Sequence, residues 1–145
     1  MSVVAKFADP EELLPHGPSV RFLERVLSLE EEAITCEIVP GKNELAFSRD
    51  GTISPALAIE YMAQAIAAFV SLKTGRDHDK PGFVIAVRRF QLATDKLSPG
   101  RPLLVRAERR WGEVDVGRFD ASILDQADCL VSASLTVFRP TEDTP

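Results

Sequence analysis

From Pro55 to Lys73 the chain holds a run that suits helix at every position and is apolar round nearly its whole circumference. Alanine stands at 56, 58, 63, 65, 67 and 68, interleaved with Leu57, Ile59, Met62, Ile66 and Phe69. Ser54 suits an N-cap, Pro55 the first helical position and Gly75 the C-terminal cap. About 19 residues at 1.5 Å each make a rod of roughly 28 Å. A rod with no polar side must be covered on most sides, and a flat sheet would leave half of it bare.

The remainder of the chain supplies strands. Ala33 to Val39 alternates, with Ile34, Cys36 and Ile38 on one face and Thr35 and Glu37 on the other, the period of a half-buried strand. Further strands are expected over Val20–Leu29, Phe83–Phe90, Pro102–Arg110, Val114–Leu124 and Leu130–Phe138. The acidic stretch Glu30-Glu31-Glu32 and the dipeptides Pro40-Gly41 and Pro99-Gly100 mark turns. A short helix is expected at Asp9–Leu14, stopped by Pro15, with His16-Gly17-Pro18 turning into the first strand. Residues 41–54 read as irregular. The order strand, strand, helix, four strands predicts an α+β domain over residues 1–145, with its core at about 13–138. Its antiparallel sheet has about five to six strands and bends round the central helix. An open curled sheet keeps free edges, so a homodimer is the default expectation.

Composition narrows the function. The 145 residues are 45% apolar and 27% charged, ordinary for a globular domain, and the net charge of -5 argues against nucleic acid. Basic residues cluster at Arg88-Arg89 and from Arg106 to Arg110. They read either as solvated strand ends or as a docking patch for an acidic carrier domain or a cofactor-like phosphate. The two cysteines, Cys36 and Cys129, sit in apolar strand-like runs and read as buried thiols of a reducing compartment. The start lacks a signal-peptide pattern, and the helical run is alanine-rich, interrupted by Glu60 and Gln64 and short for a membrane span. A soluble cytoplasmic protein is expected. No metal-ligand spacing, phosphate-binding glycine loop or GxSxG elbow occurs, so neither metal nor cofactor is expected.

Within the apolar helix Glu60 stands out. A carboxylate there is costly unless it is paired or functional, and the choice is between a wet, arginine-paired interface residue and a catalytic acid. Gln64 lies one turn on, at i+4, placed to hold a carboxylate or a water. Only two histidines occur. His78 sits in the polar loop Gly75–Lys80 and reads as exposed. His16, pinned between Pro15 and Gly17, reads either as a turn residue or as a base. Ser54 reads as a cap rather than a nucleophile.

Leu13-Leu14-Pro15-His16, with Phe22-Leu23-Glu24-Arg25-Val26 after it, resembles the opening of the 3-hydroxyacyl-[acyl-carrier-protein] dehydratases of the hotdog superfamily. Ile59-Glu60-Tyr61-Met62-Ala63-Gln64-Ala65 is similar to that family's central-helix motif, and Gly82–Phe90 and Leu97-Ser98-Pro99-Gly100 to the strand and turn beyond. The resemblance spans about residues 13–138 and lies nearest the branch associated with aryl polyene biosynthesis. It implies a hotdog fold and a double-hotdog dimer with active sites at the subunit boundary. It also implies an acyl chain on the phosphopantetheine arm of acyl carrier protein, threaded beside the helix. Glu60 matches the family's catalytic glutamate. The family's histidine before the helix has no match, since 46–53 reads Ala-Phe-Ser-Arg-Asp-Gly-Thr-Ile, and Ala56 replaces the usual glycine.

Dehydration needs a base for the C2 proton and an acid for the departing hydroxyl. His16 is the available substitute base beside Glu60. A backbone N–H of Ala56 or Leu57 would meet the thioester oxygen, with Gln64 alongside; Pro55 has no N–H to give. Two other readings stand beside the dehydratase: a non-catalytic or partner-dependent hotdog subunit that binds acyl carrier or an active dehydratase, and an acyl thioesterase.

Overall fold

The apolar run is a helix, α1 (Ala58–Thr74), in the computed structural model of the protein, and the strands wrap it. The structure describes residues 3–4, 22–41, 54, 57–74, 82–94, 97–113 and 115–139. The expected helix at Asp9–Leu14, the His16 turn, residues 42–53 and the loop carrying His78 lie outside them.

The strands are β1 (Val3–Val4), β2 (Leu23–Leu29), β3 (Ala33–Ile38), β4 (Phe83–Leu92), β5 (Leu103–Gly112), β6 (Val116–Asp125) and β7 (Asp128–Phe138), with α1 between β3 and β4. They form one sheet of seven strands in the order β1-β2-β3-β5-β6-β7-β4. Every pairing is antiparallel. This is the expected helix-in-sheet plan plus the two-residue β1. The first long strand is described from Leu23, Val20 lying outside the described residues, and it does not alternate evenly. Register irregularities at Leu23/Arg25 and Val26/Ser28 break the period, so Leu23 and Val26 are the buried pair.

The inner face of the sheet is built from alternate residues: Ile34, Cys36 and Ile38 of β3, Leu103, Val105 and Ala107 of β5, Phe119, Ala121 and Ile123 of β6, and Val131, Ala133 and Leu135 of β7. Register sets Cys36 opposite Val105 and Ile34 opposite Ala107, so neighbouring strands present their apolar sides together. Against this face α1 buries Ala58, Tyr61, Met62, Ala65, Ile66, Ala68 and Phe69. The small alanines let the sheet close on the helix, and Phe69 fills the space they leave. Its ring meets Phe119 edge-on at 5.7 Å and lies under the cations of Arg109 at 5.2 Å and Lys73 at 5.6 Å.

The acidic turn between β2 and β3 is fastened to β5. Arg109 grips Glu32 with two hydrogen bonds of 2.6 and 3.0 Å, and Arg106 donates to Glu30 at 2.9 Å. These bonds hold both carboxyls below their ordinary value. At the other end Gly100, at φ +82°, donates its N–H to the Pro40 carbonyl at 2.8 Å and ties the two Pro-Gly turns together.

The cysteines divide. Cys36 is buried, and burial pushes its thiol up to about 12. Cys129 is exposed, contrary to the expectation of two buried thiols. It is the second residue of β7, directly after the β6–β7 turn. Among the described residues no helix is long and apolar enough to cross a membrane, and no three His, Cys, Asp or Glu side chains group as metal ligands.

Truncating the ring that wedges α1 against β6, Phe69→Ala, is expected to cost about 3–5 kcal/mol of unfolding free energy. Urea titration followed by circular dichroism measures it, and a loss below about 1 kcal/mol would show that the ring is not the wedge.

Candidate active site

The first turns of α1 carry a carboxylate and a buried amide, Glu60 and Gln64. Glu60 is half-buried there, where the helix dipole favours a negative charge. Gln64, one turn on, is fully buried, and an amide so placed must find partners for both its ends. Its Oε1 accepts the backbone N–H of Phe22 at 2.8 Å, and its Nε2 donates to Glu60 Oε1 at 3.2 Å. Phe22 N–H can only donate, so the amide oxygen must face it and the amide nitrogen must face the carboxylate. The backbone just ahead of β2 therefore orients Glu60 through Gln64. The same Phe22 sets its ring edge-on against buried Tyr61, with centroids 5.4 Å apart and planes at 76°. Backbone and ring together clamp the start of β2 to α1.

The expected Glu60–Gln64 pairing is thus present. The role of Phe22 had no sequence signal, because Phe22 and Gln64 are joined only by folding, 42 positions apart. His16 and Ala56 lie outside the described residues. Leu57 differs from expectation: its N–H donates to the Ser54 carbonyl at 3.1 Å. That bond closes the first turn, so Leu57 is not the free donor anticipated for a thioester oxygen.

The basic clusters also separate. Arg106 and Arg109 are held by Glu30 and Glu32, and Arg110 donates to Glu108 at 2.7 Å and lies 3.4 Å from Asp120. For this stretch the solvated, locally neutralised reading holds. Arg88 and Arg89 are exposed on β4 and make no ion pair with a described residue. A polar cleft of about 370 Å³ lies on the sheet, lined by Arg89, Gln91, Arg106, Glu108 and Ser132 among others. Arg106, Glu108 and Ser132 alternate with the residues that face α1, so the cleft opens on the far side of the sheet from Glu60.

The fold and this helix can be set beside known proteins. A family model described as ApeP-like, ApeP dehydratase, matches residues 8–145. A search of curated proteins gives no significant match. A chain of the dehydratase heterocomplex ApeI:P from Xenorhabdus doucetiae superposes with a TM-score of 0.85 at 20% identity, covering 96% of this chain and 95% of that one. The PaaI protein of the E. coli phenylacetic acid degradation operon gives a TM-score of 0.61 at 12% identity over 80% and 78%. The smu.793 protein of Streptococcus mutans, bound to acetyl CoA, gives 0.62 at 16% identity over 83% and 89%. At these identities the three structures establish the shared fold. The family model, spanning nearly the whole chain, goes further: with a carboxylate on the central helix of a hotdog fold, the chain belongs to the ApeP-like dehydratase family, enzymes that act on acyl thioesters.

Proposed function

We propose that the chain converts 3-hydroxyacyl thioesters carried on acyl carrier protein to 2-enoyl thioesters, with Glu60 as the acid and His16 as the base. The observation that carries this reading is the Glu60–Gln64–Phe22 relay, a carboxylate aimed by a buried amide on a helix otherwise given over to packing. His16 takes the C2 proton, the electron pair forms the C2=C3 bond, and the C3 hydroxyl leaves as water on receiving a proton from Glu60. An unperturbed imidazole titrates near about pH 6.5, suited to accepting a proton at neutral pH. Six residues of chain span at most about 20 Å, a tether from Phe22 that permits a base at His16 to approach the first turns of α1. With Leu57 engaged, the Ala56 N–H is the donor proposed for the thioester oxygen, at the end of the helix whose dipole favours developing negative charge.

A partner-dependent subunit is the second reading. It is favoured by the absence of histidine from 46–53 and by the apolar residues that β4 leaves exposed. In that reading the chain pairs with a second hotdog protein, a copy or a different chain, which completes the tunnel. A thioesterase would be separated from both by its product, a free acid in place of the 2-enoyl thioester.

Glu60→Gln is expected to lower turnover of a 3-hydroxyacyl carrier substrate at least 100-fold while the thermal midpoint stays unchanged or rises. Normal turnover with a large loss of stability would make Glu60 a structural residue. His16→Ala is likewise expected to lose at least 100-fold, and His78→Ala little. Retention of most turnover by His16→Asn would reduce His16 to a turn residue and move the base to a partner.

A further inference from the structure

The polar cleft on the outer face is walled off from Glu60 by the sheet itself, so it does not seat the thioester that the carboxylate would act on. Its volume of about 370 Å³ falls within the range of small-molecule sites, roughly 300–1,000 Å³. Strand register builds it. Arg106, Ser122, Ser132 and Gln91 stand in one row across β5, β6, β7 and β4, and Glu108, Asp120 and Ser134 stand in the next. With strands about 4.8 Å apart, a row of four is roughly 14 Å long. Serine is short, so the hydroxyls form a floor and the longer side chains a rim. At the β4 end the bulge between Arg88 and Gln91, with Arg89 at φ +53°, brings the Arg89 side chain to the same cleft.

The polar groups of this cleft are unequally employed. Its carboxylates are engaged: Glu108 accepts from Arg110 at 2.7 Å and lies 4.0 Å from Arg106, and Asp120 lies 3.4 Å from Arg110. Its donors are not. Ser134 is only 5% exposed, and its Oγ accepts the Nε–H of Arg118 at 3.0 Å. That bond turns the hydroxyl proton elsewhere, and no described residue accepts it. The hydroxyls of Ser122 and Ser132, the Gln91 amide and the Arg89 guanidinium also lack a side-chain partner among the described residues. A buried donor without an acceptor is costly, and several donors round one concavity suit a group of negatively charged oxygens. Charge agrees. Neither Arg89 nor Arg118 has a carboxylate partner among the described residues, so the cleft is locally positive in a chain of net charge -5.

We propose that this cleft binds a small, soluble phosphate monoester of a polyol. The phosphate, with three terminal oxygens, meets Arg89 and the hydroxyls of Ser132 and Ser134. The hydroxylated remainder lies along the row towards β5, where Glu108 and Asp120 keep lone pairs to accept its O–H groups. A phosphate alone would leave most of so long a row unused. A lipid headgroup fits less well, because a phosphodiester has fewer terminal oxygens and an anionic membrane repels a chain of net charge -5. The inference goes beyond the dehydratase reading and does not depend on it, since binding is measured without turnover.

Isothermal titration calorimetry of the full chain with glycerol 3-phosphate, at about 50 mM salt in phosphate-free buffer, tests this. Saturable one-to-one binding is expected, at least tenfold tighter than that of inorganic phosphate or of glycerol. It should weaken as pH falls through about 6, where the phosphate takes up its second proton. Arg89→Asn, in which asparagine tolerates the positive φ, should weaken it at least tenfold, as the loss of one charge-assisted hydrogen bond requires. In the native chain the amide NMR signals of Gln91, Ser132 and Ser134 should shift on titration while those of Phe22 and Gln64 stay, a readout independent of how any variant folds. No saturable binding up to about 10 mM, binding of inorganic phosphate just as tight, or shifts at Phe22 and Gln64 alone would each overturn the proposal. Co-sedimentation of the chain with phosphatidylglycerol vesicles, lost in Arg89→Asn, would overturn it in favour of a lipid headgroup.

Discussion

A helix apolar round nearly its whole circumference cannot rest on one side of a flat sheet. Covering α1 requires strands from both halves of the chain to form one curved surface, and the sheet order β1-β2-β3-β5-β6-β7-β4 does this by joining β3 to β5 across the helix. The alanines of α1 permit the close approach, and Phe69 fills the wider gap towards β6. Burial is non-directional, so by itself it would tolerate some slippage of helix against sheet. Directional contacts at the ends remove that freedom: Arg106 and Arg109 pin the β2–β3 turn, and the Gly100–Pro40 hydrogen bond joins the opposite turns.

The same constraint concentrates the chemistry. Inside so apolar a helix, a polar side chain survives only if its hydrogen-bonding groups are met. Gln64 meets this by taking a backbone N–H from the start of β2 and giving its own N–H to Glu60. The bond that aims the carboxylate is therefore also a bond that holds β2 on the helix. A change at the start of β2 would reach the carboxylate through the amide without touching it directly.

The charges of this acidic chain are arranged by place rather than by sum. On β5 the arginines are matched by glutamates of the neighbouring turn and by acidic residues on β5 and β6. On β4 two arginines sit in the middle of an apolar edge without such partners among the described residues. Both groups look alike in one dimension, a short basic run inside a strand. The fold gives them different surroundings, because one borders the acidic hairpin and the other borders solvent.

The helix and the long strands were legible in the sequence because they rest on periodicity, and burial on one side imposes periodicity locally. Glu60 and Gln64 were legible for the same reason, as polar residues where the period demands apolar ones. The resemblance added the hotdog arrangement, and the family model bears it out. Three features were decided only by the tertiary structure. The uneven face of β2 comes from register irregularities set by β3, a partner strand and not a local preference. The exposure of Cys129 comes with its place beside the β6–β7 turn, which an alternating apolar run cannot express. The aim of Glu60 depends on Phe22, which reaches it through Gln64. Sequence determined which residues had to be inside, because apolar surface is costly wherever it meets water. Tertiary structure decided which polar groups meet, because a hydrogen bond depends on distance and direction that residues 42 apart acquire only when the sheet has closed on the helix.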